Sequence, residues 1–370
     1  MPNIIDYVKN KGKKTLEQLE FNEVDNLILS RFAYFPFDNI MEQDEVLTIK
    51  ELSERFEKAN IEEMEILWKD DIELFPLMGK SKRFGEMLAT KYINKIDKKQ
   101  EKQFSAITVL MPDDTIYVSY RGTDFTLIGW KEDFYMSFKS HIASQKDAVK
   151  YLQIISEKYP KKIRIGGHSK GGNLAIYAST FVNDEIKDRI INIYNNDGPG
   201  FNEEITETEE YKKIIGKAHT YIPQSTIIGR LLNQSEEYSV IKSKQIGIMQ
   251  HDLYSWQIIG DKFEFLEDLT KQSKITEKTI KGWMESIEPQ KRQQVIDVLF
   301  EMLSKTEAET FIQLKNNWRA NSKTIFLLYK NLDTEIKQVI NQTLIQLYRI
   351  AKNNIFEEIS KKRNKQTSNK

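Results

Sequence analysis

The chain lacks cysteine entirely, which excludes disulfides, thiolate metal sites and a cysteine nucleophile together. It assigns no compartment, because a cysteine-free chain is at home in either redox setting. An imbalance of charge is missing too: Lys plus Arg and Asp plus Glu stand at 55 each. A nucleic-acid-binding domain normally carries a basic excess, so that function class is disfavoured. No stretch approaches the run of about 20 apolar residues that a membrane-spanning helix needs. Met1 to Lys14 has no apolar core of the kind a secretory signal carries. The default expectation is therefore a cytoplasmic protein, with export that reads no cleavable signal left open. There is no internal repeat and no low-complexity linker. What the chain does have is 39% hydrophobic and 11% aromatic residues over 370 positions. That suffices for a large core and suits one sizeable domain with a smaller appendage.

The first hundred residues read as helical and irregular, with helices expected over Asn22–Phe37, Leu47–Ala59 and Ser81–Ile93. The texture then changes. Phe104–Leu110 and Thr115–Tyr120 are β-branched runs separated by Pro112-Asp113-Asp114, a hairpin signature. From there strands and helices alternate. A helix runs from Ser144 to Tyr159, a strand over Lys162–Gly166, and a helix over Gly171–Thr180. A strand over Ile190–Tyr194, a helix over Glu204–Ile215 and strands over Ala218–Ile222 and Tyr238–Lys242 complete the series. Alternation of this kind implies a mostly parallel sheet covered on both faces. Beyond Phe265 only helices are expected, over Ile275–Met284, Gln290–Ser304, Glu307–Trp318, Thr324–Lys330 and Thr334–Phe356. The domain reading is residues 1–268 for the α/β part, including the N-terminal helices, and 269–370 for an all-helical extension. The basic stretch Lys361–Lys370 reads as a solvated tail.

The informative stretch is Gly167-His168-Ser169-Lys170-Gly171-Gly172, a G-x-S-x-G motif between a short strand and an apolar helix. A serine on a sharp strand-to-helix turn has strained backbone and an exposed hydroxyl, and side chains two residues either side would clash. The N–H of Lys170, at the start of the following helix, points where an oxyanion would form. The bare string is weak, and a glycine-rich turn that merely turns or binds phosphate is the alternative. The phosphate motifs want a different spacing, however. A second oxyanion donor is expected from a loop after an earlier strand, and the hairpin ends in Tyr120-Arg121-Gly122-Thr123-Asp124.

This Y-R-G-T followed by G-H-S-K-G-G resembles the F-R-G-T and G-H-S-L-G-G pair of the class 3 lipases. More narrowly, R-G-T-D with Trp130-Lys131-Glu132-Asp133-Phe134, then G-H-S-K-G-G-N-L-A, then Asn195-Asn196-Asp197-Gly198-Pro199-Gly200-Phe201, resembles an uncharacterised bacterial group of lipase-like proteins. The resemblance covers roughly residues 20–265, and the helical C-terminal region is similar to that group's usual extension. It implies an α/β-hydrolase fold, a lipase-like serine hydrolase and an oxyanion role for Thr123, against the alternative of a turn or capping threonine. Arg121 reads as structural, bridging to a buried carboxylate such as Asp133.

Four histidines are available as general base: His141, His168, His219 and His251. In the α/β-hydrolase order of serine, acid, histidine, the first two come too early. His168 sits inside the elbow and reads as structural. His219 opens a strand and reads as a satisfied core histidine. His251, in a loop past the last strand, is the candidate base. For the acid, Asp197 directly follows a strand and can accept from the histidine's second nitrogen. A turn aspartate holding its own loop is the alternative. The class 3 lipases place their acid after the next strand, but here that stretch, Pro223–Gly229, holds no carboxylate, and Asp252 is too close in sequence to orient its neighbour's ring.

The expectation is thus acyl transfer by Ser169, Asp197 and His251, with Thr123 and Lys170 at the oxyanion and with no metal or cofactor. The expected substrate is a lipid or other carboxylic ester, met without a transmembrane segment but with peripheral membrane contact allowed. No nucleic-acid partner is expected, and the partner of the C-terminal helices is unknown. Pro199–Lys217 and Ile227–Leu232 are lid candidates, with ordinary packing the alternative. Two rival readings are a thioesterase or small-ester carboxylesterase, and a vestigial hydrolase that acts by binding.

Overall fold

A computed structural model describes residues 2–60, 64, 66–124, 126–136, 138–232, 236–306, 308, 313 and 317–367. By packing, the chain divides into two compact units. The first comprises Met1–Asp124 and Ser140–Leu269, the second Phe125–Lys139 and Thr270–Lys370.

The first unit is built on a nine-stranded sheet in the order β1-β2-β3-β4-β5-β6-β7-β8-β11. Its strands are β1 (Val46–Thr48), β2 (Leu88–Asp97), β3 (Lys102–Leu110), β4 (Thr115–Tyr120), β5 (Lys162–His168), β6 (Ile190–Asn196), β7 (Ala218–Pro223), β8 (Tyr238–Ile241) and β11 (Phe265–Leu266). A separate ribbon pairs β9 (Ile258–Ile259) with β10 (Lys262–Phe263). β1 to β4 pair antiparallel, β4 to β8 parallel, and β11 closes antiparallel on β8. The expected hairpin is the β3–β4 pair. The helix expected over Ser81–Ile93 is not there: α4 ends at Lys80 and β2 begins at Leu88.

In the parallel half, each strand lies beside the one before it in sequence. Right-handed crossovers that always step in one direction place their helices on one face. Those helices are α6 (Ala143–Lys158), α7 (Lys170–Phe181), α8 (Asp184–Arg189), α9 (Glu203–Thr206) and α10 (Glu209–Ile214). Their apolar residues share one core with Ile116, Val118, Ile163, Ile165 and Ile193 of the strands. Phe201, Ile205, Tyr211 and Ile214 belong to that core, so the lid candidate Pro199–Lys217 is packed.

The opposite face is covered by the N-terminal segment. Its helices are α1 (Ile4–Lys11), α2 (Glu23–Phe32), α3 (Ile49–Lys58) and α4 (Asp71–Lys80). Three of them start in capping boxes, Asn3 with Asp6, Asn22 with Asp25 and Thr48 with Glu51, each satisfying orphan N–H groups reciprocally. Their core includes Tyr117, Tyr194 and Tyr221, the sheet residues that alternate with those facing the other layer. The N-terminal helices are therefore the second layer of the domain. A buried polar network seals this layer. Tyr117 donates to Asn26 Oδ1 at 2.7 Å, and Asn26 Nδ2 donates to Asn196 Oδ1 at 3.0 Å. Asn196 Nδ2 in turn donates to Ser30 Oγ and to the carbonyl of Gly167, both at 3.0 Å.

The second unit contains α5 (Leu127–Tyr135), α11 (Lys271–Glu285), α12 (Pro289–Ser304), α13 (Trp318–Asn331) and α14 (Thr334–Thr367). Trp283 Nε1 donates to the carbonyl of Thr343 at 3.1 Å, tying α11 to α14. The helix expected over Glu307–Trp318 lies mostly outside the described residues. Among the described residues, no helix is long and apolar enough to cross a membrane.

Candidate active site

The site lies at the carboxyl ends of β4, β5 and β6. β5 ends at His168, and Ser169 has φ 59° and ψ −133° before α7 begins at Lys170. Positive φ costs an L-residue about 1–2 kcal/mol, so the surroundings must impose it. They do so sterically. A Cβ on Gly167 would meet the Gly171 carbonyl carbon at 2.3 Å, and one on Gly171 would meet the Tyr120 carbonyl oxygen at 2.1 Å. Ser169 N–H donates to the carbonyl of Asn196 at 2.9 Å, carrying the parallel ladder into the bend. Ser169 is half-buried.

Asp197 follows β6 immediately, also at positive φ, 55°, and is 1% exposed. Its Oδ2 lies 2.6 Å from His251 Nδ1. Its Oδ1 accepts from the Thr226 hydroxyl at 2.5 Å and from Gly229 N–H at 3.1 Å. Both carboxylate oxygens are thus engaged, and the ring at 251 is fixed at the nitrogen that faces the acid. Thr226 and Gly229 lie in Pro223–Gly229, a stretch that holds no carboxylate of its own and supplies donors to Asp197. No sequence signal marked Thr226. Gly229 had a reason to be glycine, since a Cβ there would stand 2.3 Å from Asp197 Oδ1.

His251 ends a short 3-10 turn, Gly247–His251, and its side chain is 22% exposed. Among the described residues no hydrogen bond joins Ser169 Oγ to the His251 ring. The two segments nonetheless meet through His168. The rings of His168 and His251 are 4.3 Å apart between centroids, and His168 Nε2 lies 2.8 Å from the His251 carbonyl. A catalytic hydrogen bond is often long before substrate binds and tightens afterwards. The Asp252 carboxylate accepts from the N–H of Tyr254 at 3.1 Å, and burial raises its pKa.

The other two histidines lie elsewhere. His141 is bonded to the Tyr177 hydroxyl at 2.7 Å. His219, read as a core residue, is in fact exposed, stacked on Tyr194 at 5.4 Å and bonded to Asn192. It is the second residue of β7.

The oxyanion candidates fall on either side of Ser169. Lys170 is the first residue of α7, where backbone N–H groups have no partner within the helix itself. Its side chain is buried, with Nζ donating to the Gln103 carbonyl at 3.2 Å and Oε1 at 3.0 Å. Thr123 is half-buried in the segment after β4. That segment runs against the elbow, because a Cβ on Gly122 would lie 2.5 Å from the His168 carbonyl and 3.0 Å from Ser169 Cβ. Arg121 steadies it through Asn94 and Asp124, at 3.0 Å and 3.3 Å, so the carboxylate that Arg121 meets is Asp124. Among the described residues no cluster of three or more His, Asp or Glu side chains is arranged to hold a metal ion.

A family model described as Mbeg1-like matches residues 78–301, more than half of the sequence. The chain belongs to the Mbeg1-like family. The sheet and motif order of this Mbeg1-like protein resemble those of the lipase-like α/β-hydrolases. No curated protein matches it. Solved structures similar to it include the Rhizomucor miehei lipase propeptide complex, at 14% identity over 47% of this chain and 70% of that one, TM-score 0.34. Lipase II from Rhizopus niveus aligns at 16% identity over 48% and 72%, TM-score 0.33. A triacylglycerol lipase from Penicillium expansum aligns at 12% identity over 46% and 73%, TM-score 0.30.

Proposed function

We propose that the protein is a serine esterase acting on carboxylic esters of lipids, with Ser169, Asp197 and His251 as its triad. The observation that carries this reading is the 2.6 Å contact of Asp197 with His251, on a carboxylate whose other oxygen is pinned by Thr226 and Gly229. An acid held this way fixes the tautomer of the ring, keeps Nε2 free to accept a proton, and stabilises the imidazolium. Ser169 Oγ attacks the acyl carbonyl as His251 Nε2 takes its proton. The Lys170 N–H and Thr123 hold the oxyanion. His251 then protonates the departing alcohol, and water releases the acid from the acyl-enzyme by the same steps.

A lipid substrate is supported by the resemblance to class 3 lipases and by two exposed apolar residues, Ile246 and Met249, in the loop that leads to His251. In this reading residues 1–268 are the hydrolase domain and 269–370 a helical extension. The test is a fluorophosphonate probe with Ser169→Ala as control. Labelling at Ser169 is the expected result, and an unlabelled native protein would mean a vestigial site. Turnover of nitrophenyl esters should then rise with acyl length. A preference for acetyl, or for thioesters, would overturn the lipid assignment.

A further inference from the structure

Tyr34 lies just beyond α2, in the N-terminal layer, far in sequence from every motif of the site. It is 2% exposed, yet its hydroxyl touches two of the segments that the proposed chemistry uses. Gly122 N–H donates to it at 2.9 Å. It stands 3.2 Å from His168 Nδ1 and 3.1 Å from the His168 carbonyl. His168 in turn reaches the third segment, through the carbonyl of His251. We propose that Tyr34 and His168 are positioning residues that hold the oxyanion loop, the nucleophile elbow and the base-bearing loop in one fixed register. The inference rests on the serine-esterase reading.

The proton count makes the chain of bonds directional. A carbonyl can only accept, so His168 Nε2 must carry a hydrogen to bond to His251. Burial pushes the His168 pKa well below the usual histidine value, and the neighbouring His251 acts in the same sense, so the ring is neutral. A neutral ring protonated on Nε2 leaves Nδ1 as an acceptor. The Tyr34 hydroxyl, facing two acceptors on His168, donates to that residue while its oxygen receives Gly122 N–H. The His168 ring thus donates at Nε2 and accepts at Nδ1.

Two consequences bear on catalysis. Gly122 precedes Thr123, so the hydroxyl of Tyr34 fixes the backbone from which an oxyanion donor projects. The His168 ring lies against the ring of His251 and anchors its main chain, so His251 is held at both ends, by Asp197 at Nδ1 and by His168 at its carbonyl. Neutrality matters here. A charged ring at 4.3 Å would oppose the imidazolium that His251 becomes during proton transfer, whereas a neutral one does not. A phenylalanine at position 34 would fill the same space without holding anything.

The experiment compares the full-length protein with Tyr34→Phe, His168→Gln and His168→Ala, using nitrophenyl butyrate and a fluorophosphonate. Tyr34→Phe should lower kcat about 10–100-fold, as a small misplacement of the reacting groups does, and leave KM within about two-fold. It should slow labelling of Ser169 in proportion. His168→Gln, whose amide keeps a donor for the His251 carbonyl, should retain more activity than His168→Ala. Native kcat in Tyr34→Phe, a change confined to KM, or equal losses in the two His168 variants would overturn the proposal. Nitrogen-15 spectra of the native protein give a readout independent of activity, and one that stands if a variant fails to fold. The His168 ring should remain neutral and Nε2-protonated at pH 5. A ring that is charged there, or protonated on Nδ1, would sink the register. A native protein that does not label at all would instead remove the esterase reading on which this inference rests.

Discussion

The two units bury their side chains in different ways. In the first, buried arginines and carboxylates meet each other with fixed geometry. Arg83 pairs with Asp25 through two bonds while also donating to the carbonyls of Leu19 and Glu20. Arg31 grips Asp71 with a second pair of bonds, under the rings of Tyr34 and Trp68, and Asp71 also accepts from Tyr254 at 2.6 Å. In the second unit the helices are amphipathic and leave large apolar residues in solvent: Trp318, Phe326 and Leu327 on α13, and Leu344, Ile345 and Tyr348 on α14. Apolar packing tolerates rearrangement, whereas a buried polar network is satisfied in one arrangement only. A site that needs sub-ångström placement belongs in a unit of the first kind.

The comparison can be broken at several points. The largest effect is expected at the nucleophile. Ser169→Ala should reduce ester turnover on the order of 10⁶-fold, measured beside its failure to take up fluorophosphonate. Asp197→Asn keeps an oxygen for Thr226 and Gly229 but presents the wrong partner to His251. It should cost about 10⁴-fold in kcat with little change in melting temperature, and near-native kcat would remove Asp197 from the triad. Arg83→Met leaves Asp25 buried and unpaired. A loss of about 3–5 kcal/mol in urea unfolding is expected, and an effect under 1 kcal/mol would show the first unit to be less dependent on its polar interior than its geometry implies.

A smaller effect should appear with pH. His168 is neutral when folded but has an ordinary affinity for protons when unfolded. The unfolded chain therefore binds more protons below about pH 6.5. Its contribution to stability is complete above that value and declines as pH falls, by at most about 1.4 kcal/mol per pH unit. Chemical denaturation between pH 7 and pH 5 should show a shallower decline in His168→Gln, and identical slopes would contradict the neutral ring. The smallest effects belong to the second unit. Phe326→Ser and Tyr348→Ser should each change stability by less than about 0.5 kcal/mol, and a loss above 2 kcal/mol in either would mean that those faces are packed in solution.

Much of this arrangement is legible in the sequence where sterics dictate residue type. The elbow could be found because Gly167 and Gly171 have no alternative at their spacing. The β3–β4 hairpin could be found because Pro112-Asp113-Asp114 separates two β-branched runs. β2 reads as a helix for a physical reason. Lys91 adopts φ 56°, and the pairing with β3 shifts register between Thr90 and Ile93. This bulge breaks the alternation and leaves apolar residues at 88, 92, 93 and 96, a spacing that imitates helical periodicity. The candidate site divides in the same way. Ser169, Asp197 and His251, the proposed triad, can be picked out by side-chain type and chain order. Thr226, Gly229 and Tyr34 act through contacts across 29, 32 and 134 positions, which no local pattern encodes. Nor does composition reveal that the N-terminal helices are a full layer of the domain.

The bend at position 169 also bears on how this sequence can drift. Its φ of 59° is one that glycine occupies freely and serine does not. Because Oγ makes no hydrogen bond among the described residues, exchange to glycine would orphan no partner and would relieve the backbone. A single-codon change at this point should therefore give a sturdier molecule with no hydroxyl to offer. Stability alone would favour that exchange, so the energetics of the fold give no reason for serine at this bend.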